Sequence, residues 1–209
     1  GHKLPTGYPE GRRMWISVEF RDAEMQPVAV RGNYDWAEAD LTTGDTKVYE
    51  MELGLDETVA TVTGNEAGPS FHFALNNKVY KDNRIPPRGF TNAAYAGFGG
   101  APVGAAYVDG QYWDDTLFWI PPGSVTAVVT LHYQTASKEY ITFLRDENHT
   151  NHWGDTVYEQ WELTGKSPPV LMGESVVVNL TPGAAADADC SGSVDLLDYA
   201  ARHDCFTGP

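Results

Sequence analysis

The stretch Arg12–Phe20, "RRMWISVEF", decides how the chain is read. Met14, Ile16, Val18 and Phe20 alternate with Arg13, Trp15, Ser17 and Glu19. A period of two places alternate side chains on opposite faces, the pattern of a half-buried strand. Working outward, "QPVAVRG", "KVYEMEL", "SFHFAL", "TAVVTLHYQ", "EYITFLR" and "ESVVVNL" carry the same β-branched and aromatic content. Turn-forming words separate them: "TTGD", "TGNEAGPS", "IPPRG", "VDG" and "IPPGS". Many short strands with such punctuation predict a mainly β protein, an antiparallel β-sandwich of Ig-like or jelly-roll-like type. No helical pattern alternates with the strands, which argues against a parallel α/β sheet.

Two segments depart from the strand pattern. Residues 91–115, rich in Gly and Ala with scattered aromatics, read as a long ordered loop. Residues 151–166, "NHWGDTVYEQWELTGK", read as a short helix with Asp155 as cap and Gly165 as stop. The sandwich is expected to span 1–180. The small-residue run beginning at Thr181 supplies a linker at 181–186, and composition changes again over 187–209.

The chain has 209 residues, 29 acidic against 14 basic, a formal net charge of −15. Such a surface repels nucleic acid and anionic membranes. No apolar run approaches the roughly 20 residues of a membrane-spanning helix. The acidity and solubility fit a secreted, extracellular or cell-surface setting. A chain that opens on Gly1 is expected to be a processed product or a part of something longer.

Residues 187–198, "DADCSGSVDLLD", match the twelve-position calcium loop. Asp187, Asp189 and Ser191 fall at positions 1, 3 and 5, and Gly192 at the sharp turn of position 6. Ser193 offers its backbone carbonyl at position 7, and Asp195 and Asp198 stand at positions 9 and 12. A hard cation wanting six to eight oxygens needs a loop that coils so that alternate residues point inward. Cys190 and Cys205 are the two cysteines, and an oxidising compartment would let them pair. This tail resembles a single dockerin repeat, of the kind seen at the end of planctomycete secreted proteins. A full dockerin has two such repeats.

Three further words, "GHKLPTGYPEGRRMW" (1–15), "NNKVYKDNRIPPRGF" (76–90) and "YQTASKEYITFLRD" (133–146), resemble the non-haem C-terminal β-domain of secreted multihaem c-type cytochromes. The resemblance covers roughly residues 1–172. It implies a sandwich fold, an extracellular setting and a multihaem cytochrome as a relative or partner. In that family a "GHKxPTG" histidine can ligate haem, a role that falls here on His2. The chain has no CxxCH, so haem would come from another chain or from a removed upstream region. His2 has two other readings: a structural or interface histidine, or a copper(II) site built with a free amino terminus.

The remaining constellations are weaker. His149 and His152 stand three apart, and Asp109, Asp114 and Asp115 lie close in sequence, a candidate second calcium site. Trp36, Trp113, Trp119 and Trp153, with Tyr95 and Tyr112, could form a sugar-stacking platform, with Trp36 and Trp113 at its centre, for a polysaccharide partner. No GxSxG, HExxH or phosphate loop occurs, so no enzyme is expected. The sequence therefore predicts a non-catalytic extracellular structural protein that assembles with itself, as a homo-oligomer or filament, or packs with a multihaem cytochrome. The alternatives are a carbohydrate-binding module and an electron-transfer subunit.

Overall fold

The computed structural model describes residues 2–3, 5 and 7–180. In chain order its elements are β1 (Arg13–Arg21), β2 (Pro27–Arg31), β3 (Tyr34–Asp35), β4 (Asp40–Leu41), β5 (Val48–Tyr49), β6 (Met51–Leu55), α1 (Glu57–Thr63), β7 (Gly68–Pro69), β8 (Lys78–Asp82), α2 (Asn92–Gly97), β9 (Thr126–Gln134), α3 (Lys138–Asp146), α4 (Trp153–Leu163), β10 (Val170–Leu171) and β11 (Val176–Asn179). The linker, the calcium tail and both cysteines lie outside the described residues.

The chain is mainly β, and its strand pairs are antiparallel. Strand β1 pairs with β9 along its whole length, from Arg13↔Gln134 to Arg21↔Thr126. The main sheet adds β2 and β5 along the far side of β1, and β10 and β11 along the far side of β9. A second sheet has the order β7-β6-β8, and β3 and β4 form a small hairpin.

The period-two pattern of β1 is present, but neither face is left to solvent. Met14, Val18 and Phe20 are buried on one face, and Trp15 is fully buried on the other. The face that the alternation assigns to water is covered by α3 and α4. Trp15 there joins Tyr34, Leu41, Val48, Ile141 and Trp161 in one core, with Tyr140, Leu144 and Tyr158 packed against it. On the opposite face Val18, Phe20 and Ala127 form a smaller core that Phe118 and Leu180 cover. The arrangement is sandwich-like but not closed, because Leu131 and Val176 remain 38% and 50% exposed.

Several local expectations are corrected. "EYITFLR" is the helix α3 and not a strand. Ser137 caps it by accepting from the Tyr140 backbone N–H, Glu139 lies in its first turn and Arg145 in its last. Its apolar residues fall at helical spacing, with Tyr140, Ile141 and Leu144 facing the core. "SFHFAL" is a turn, since Leu75 and Asn76 N–H groups both return to the His72 carbonyl. Helix α1 was not expected, although Asp56 caps its start and Gly64 ends it in the left-handed conformation. The Gly/Ala-rich segment contains α2, capped by Thr91. Helix α4 forms where expected, but His152 precedes it and Asp155 lies within its first turn.

Candidate functional site

The short run Asp82–Asn83–Arg84 is buried, although all three residues are polar or charged. Arg84 donates Nε and Nη2 to the two Asp82 carboxylate oxygens, each at 2.7 Å. This bidentate pairing compensates two buried charges at once. Asn83 donates its side-chain amide to the Val48 carbonyl at 2.7 Å and accepts from the Glu50 backbone N–H at 2.9 Å. The Asp82 backbone exchanges two hydrogen bonds with Val103. The run thus ties β5 and β8 to the loop around residue 103.

The amino-terminal word lies directly on this knot. Lys3 donates its backbone N–H to the Ile85 carbonyl at 3.0 Å. The His2 side chain is only 9% exposed, with Nε2 3.8 Å from Asp82 Oδ2. Its ring meets Tyr95 edge-on at 5.5 Å. Burial lowers the His2 pKa, and the Arg84 charge adds to this against the attraction of Asp82. The ring is therefore held neutral near pH 7, and its Nε2 has no hydrogen-bond partner. Tyr95 in turn packs with Phe90 and Tyr107, whose hydroxyl donates to the Asn83 carbonyl at 2.8 Å.

The third word enters from the other side. Arg13 donates Nε to Gln134 at 2.8 Å and Nη1 to Glu139 at 3.2 Å, and the fully buried Gln134 donates to Tyr34 and to the Ser167 carbonyl. The Ser137 N–H bonds the Gly11 carbonyl, and the Tyr8 and Tyr140 hydroxyls meet at 3.1 Å. Gly11 has φ +72°, and a Cβ there would lie 2.7 Å from the Tyr140 Cβ, so only glycine fits. The three words that carry the family resemblance are thus one continuous polar seam. Beside it lies an open cavity of about 280 Å³, with Glu10, Arg12, Glu50 and Phe71 in its lining. Burial raises the pKa of both Glu10 and Glu50.

Other candidate residues lie apart from the seam. Trp36 is exposed and packs edge-on against Tyr34, and Trp113 is half-exposed against Tyr112. No ring contact joins Trp36 to Trp113 among the described residues. Tyr95 is buried and takes no part in an exposed platform. Asp109 accepts from Asn92, and Asp114 pairs with Lys47 at 3.0 Å. Among the described residues no three His, Cys, Asp or Glu side chains gather as a metal site. The calcium ligands Asp187, Asp189, Ser191, Ser193, Asp195 and Asp198, and the pair Cys190 and Cys205, lie outside the described residues. Sequence reading singled out His2 but not the Asp82–Arg84 pair beside it, and it named Tyr95 for a sugar platform and not as a neighbour of His2. The signal was present in "KDNRIPPRGF", where two opposite charges flank an amide in a strand-like context.

No protein-family model matches the chain, and no curated protein matches it. Among solved structures it is similar to a penta-heme cytochrome c552 from Thermochromatium tepidum. The identity is 16% and the TM-score 0.44, over 85% of this chain and 32% of that one. The chain thus spans about a third of the length of that cytochrome. No helix among the described residues is long and apolar enough to cross a membrane.

Proposed function

We propose that this chain is a non-catalytic, extracellular structural module that works by packing against another protein surface. The observation that carries the reading is the apolar side chain left exposed on the 117–119 segment and on the outermost strand. Phe118 packs down onto the sheet, while Leu117 and Trp119 on either side are 86% and 93% exposed. Val177, on the outermost strand of the main sheet, is 64% exposed. Solitary exposed apolar residues are ordinary, but runs of them on ordered segments mark contact surfaces. The twelve-position pattern at 187–198 supports a calcium ion in the tail, with Asp187, Asp189, Ser191, Asp195 and Asp198 as side-chain ligands and Ser193 through its carbonyl. Light scattering across a concentration series with calcium tests the reading. A mass rising above the 22.9 kDa of one chain supports it. A lone monomer at all concentrations, with no capture of a multihaem cytochrome, defeats it.

A second reading is favoured by one specific feature, the unpartnered Nε2 of a neutral, buried His2. A neutral imidazole with a free ring nitrogen is what an axial ligand to another chain's haem would offer. Such a haem would carry the electron, and this chain would offer the imidazole by lifting residues 2–3 off Tyr95 and the Asp82–Arg84 pair, since Nε2 is buried where it lies. Mixing the chain with haem should then shift the haem absorbance, and His2→Ala should remove the shift. An unchanged spectrum with the wild-type chain leaves the packing reading alone in place.

A further inference from the structure

We infer that the open cavity beside the polar seam binds one neutral sugar residue of a glycan, with the neighbouring residue stacked on the exposed rings of Tyr8 and Phe73. This site is independent of the packing reading above, since a chain that never associates could still hold a sugar there.

The walls of the cavity come from residues 9–13, from β6, from the 69–71 segment and from the first turn of α3. Its volume of about 280 Å³ is close to the roughly 300 Å³ lower end of small-molecule sites, which suits one sugar ring and not a long ligand. Three of its carboxylates are held in place and still have an oxygen to offer. Glu10 is 3% exposed; its Oε1 accepts from Asn76 Nδ2 at 3.3 Å, and Asn76 is itself fixed on the Ser70 carbonyl at 2.8 Å. Glu50 Oε1 accepts from Lys81 Nζ at 2.6 Å, and Glu139 Oε1 from Arg13 Nη1 at 3.2 Å. In all three the Oε2 has no hydrogen-bond partner among the described residues. For a side chain as buried as Glu10, an unpaired oxygen is costly, and a ligand hydroxyl removes that cost.

The same cavity has apolar surface. Met51 and Phe71 line it. From Phe71 a chain of rings leads to the surface: Phe71 meets Tyr140 at 5.3 Å, Tyr140 meets Tyr8 at 6.3 Å and Tyr8 meets Phe73 at 5.1 Å. At its end Tyr8 and Phe73 are 40% and 56% exposed. A sugar has a rim of hydroxyls and an apolar C–H face, so it uses fixed acceptors and an aromatic ring together. Charge narrows the class further. Glu10, Glu50, Glu52 and Glu139 outnumber Arg12 and Arg13 in the lining, which disfavours a phosphate or an acidic sugar. Arg13 and Lys81 already pair with Glu139 and Glu50, and no three of the described carboxylates gather as a metal site, which disfavours a free cation. A neutral, hydroxyl-rich ligand is what remains.

Titration calorimetry of the full chain with cellotriose, xylotriose, mannotriose and chitotriose, and with trigalacturonate as the acidic probe, tests this. At least one neutral trisaccharide is expected to bind, and trigalacturonate is not. Phe73→Ala and Glu10→Gln should each weaken the binding about tenfold or more, with circular dichroism unchanged; Phe73 is exposed, so its removal leaves the fold intact. Trp36→Ala and Trp113→Ala should bind as the wild type does. Binding of none of the neutral probes, or tighter binding of trigalacturonate, overturns the assignment. Binding that survives Phe73→Ala and Glu10→Gln but is lost in Trp36→Ala or Trp113→Ala also overturns it and moves the sugar to the exposed tryptophans. None of these results bears on whether the unliganded chain associates.

Discussion

His2 and His132 show how one residue can carry a pH dependence. Burial holds both folded-state pKa values below the ordinary 6.5. The unfolded chain therefore takes up protons first as pH falls. The stability these groups contribute is complete above about pH 6.5 and is lost as pH drops from there through the folded-state values. Glu10 and Glu50 act in the opposite sense. Their raised values make a contribution that is complete below about 4.5 and lost as pH rises through the folded-state values. The difference between chains isolates the histidines. The drop in melting temperature from pH 7.5 to pH 5.5, about two units across the histidine range, should be smaller in a His2→Asn, His132→Asn chain than in the wild type. An equal drop in both would show that the histidines do not control it. Removing Trp15, which is fully buried between Tyr34 and His132, should cost about 3–5 kcal/mol as Trp15→Ala in a denaturant titration.

Elements were legible where residue pattern and surroundings agreed. Strand β9 occupies Thr126–Gln134, the word read as a strand from its β-branched run. β1 was legible as a strand but not as a central one, because the residues covering Trp15 lie more than a hundred positions away in α3 and α4. "EYITFLR" misled because Tyr, Ile, Thr and Phe favour strands locally, while a Ser137 cap and an apolar stripe at helical spacing decide the structure. That cap gives a direct check. Ser137→Ala should lower stability by about 1 kcal/mol, and no measurable change would mean that tertiary packing alone sets the helix start. Gly11→Ala should cost more than about 2 kcal/mol, since it adds strain at positive φ to a collision with Tyr140. The polar seam was legible only as three separate words. Their meeting at Asp82, Gly11 and Gln134 depends on chain topology, which spacing does not encode.

At the scale of the whole molecule, an incompletely covered sandwich is followed in the sequence by a stretch whose pattern fits calcium. Titration calorimetry of the full chain should detect one calcium ion, and Asp189→Ala should remove the heat. Equal heats in both chains would contradict the loop assignment at 187–198. The central proposal is that this chain packs its exposed apolar side chains against another protein surface. Sedimentation equilibrium of the full chain with calcium, comparing the wild type with Trp119→Asp, tests it most directly. The account predicts reversible association of the wild type, weakened about tenfold or more by Trp119→Asp, with the circular dichroism of the monomer unchanged. Association equal in both chains, or a wild type that stays monomeric at every concentration and captures no multihaem cytochrome, would contradict it.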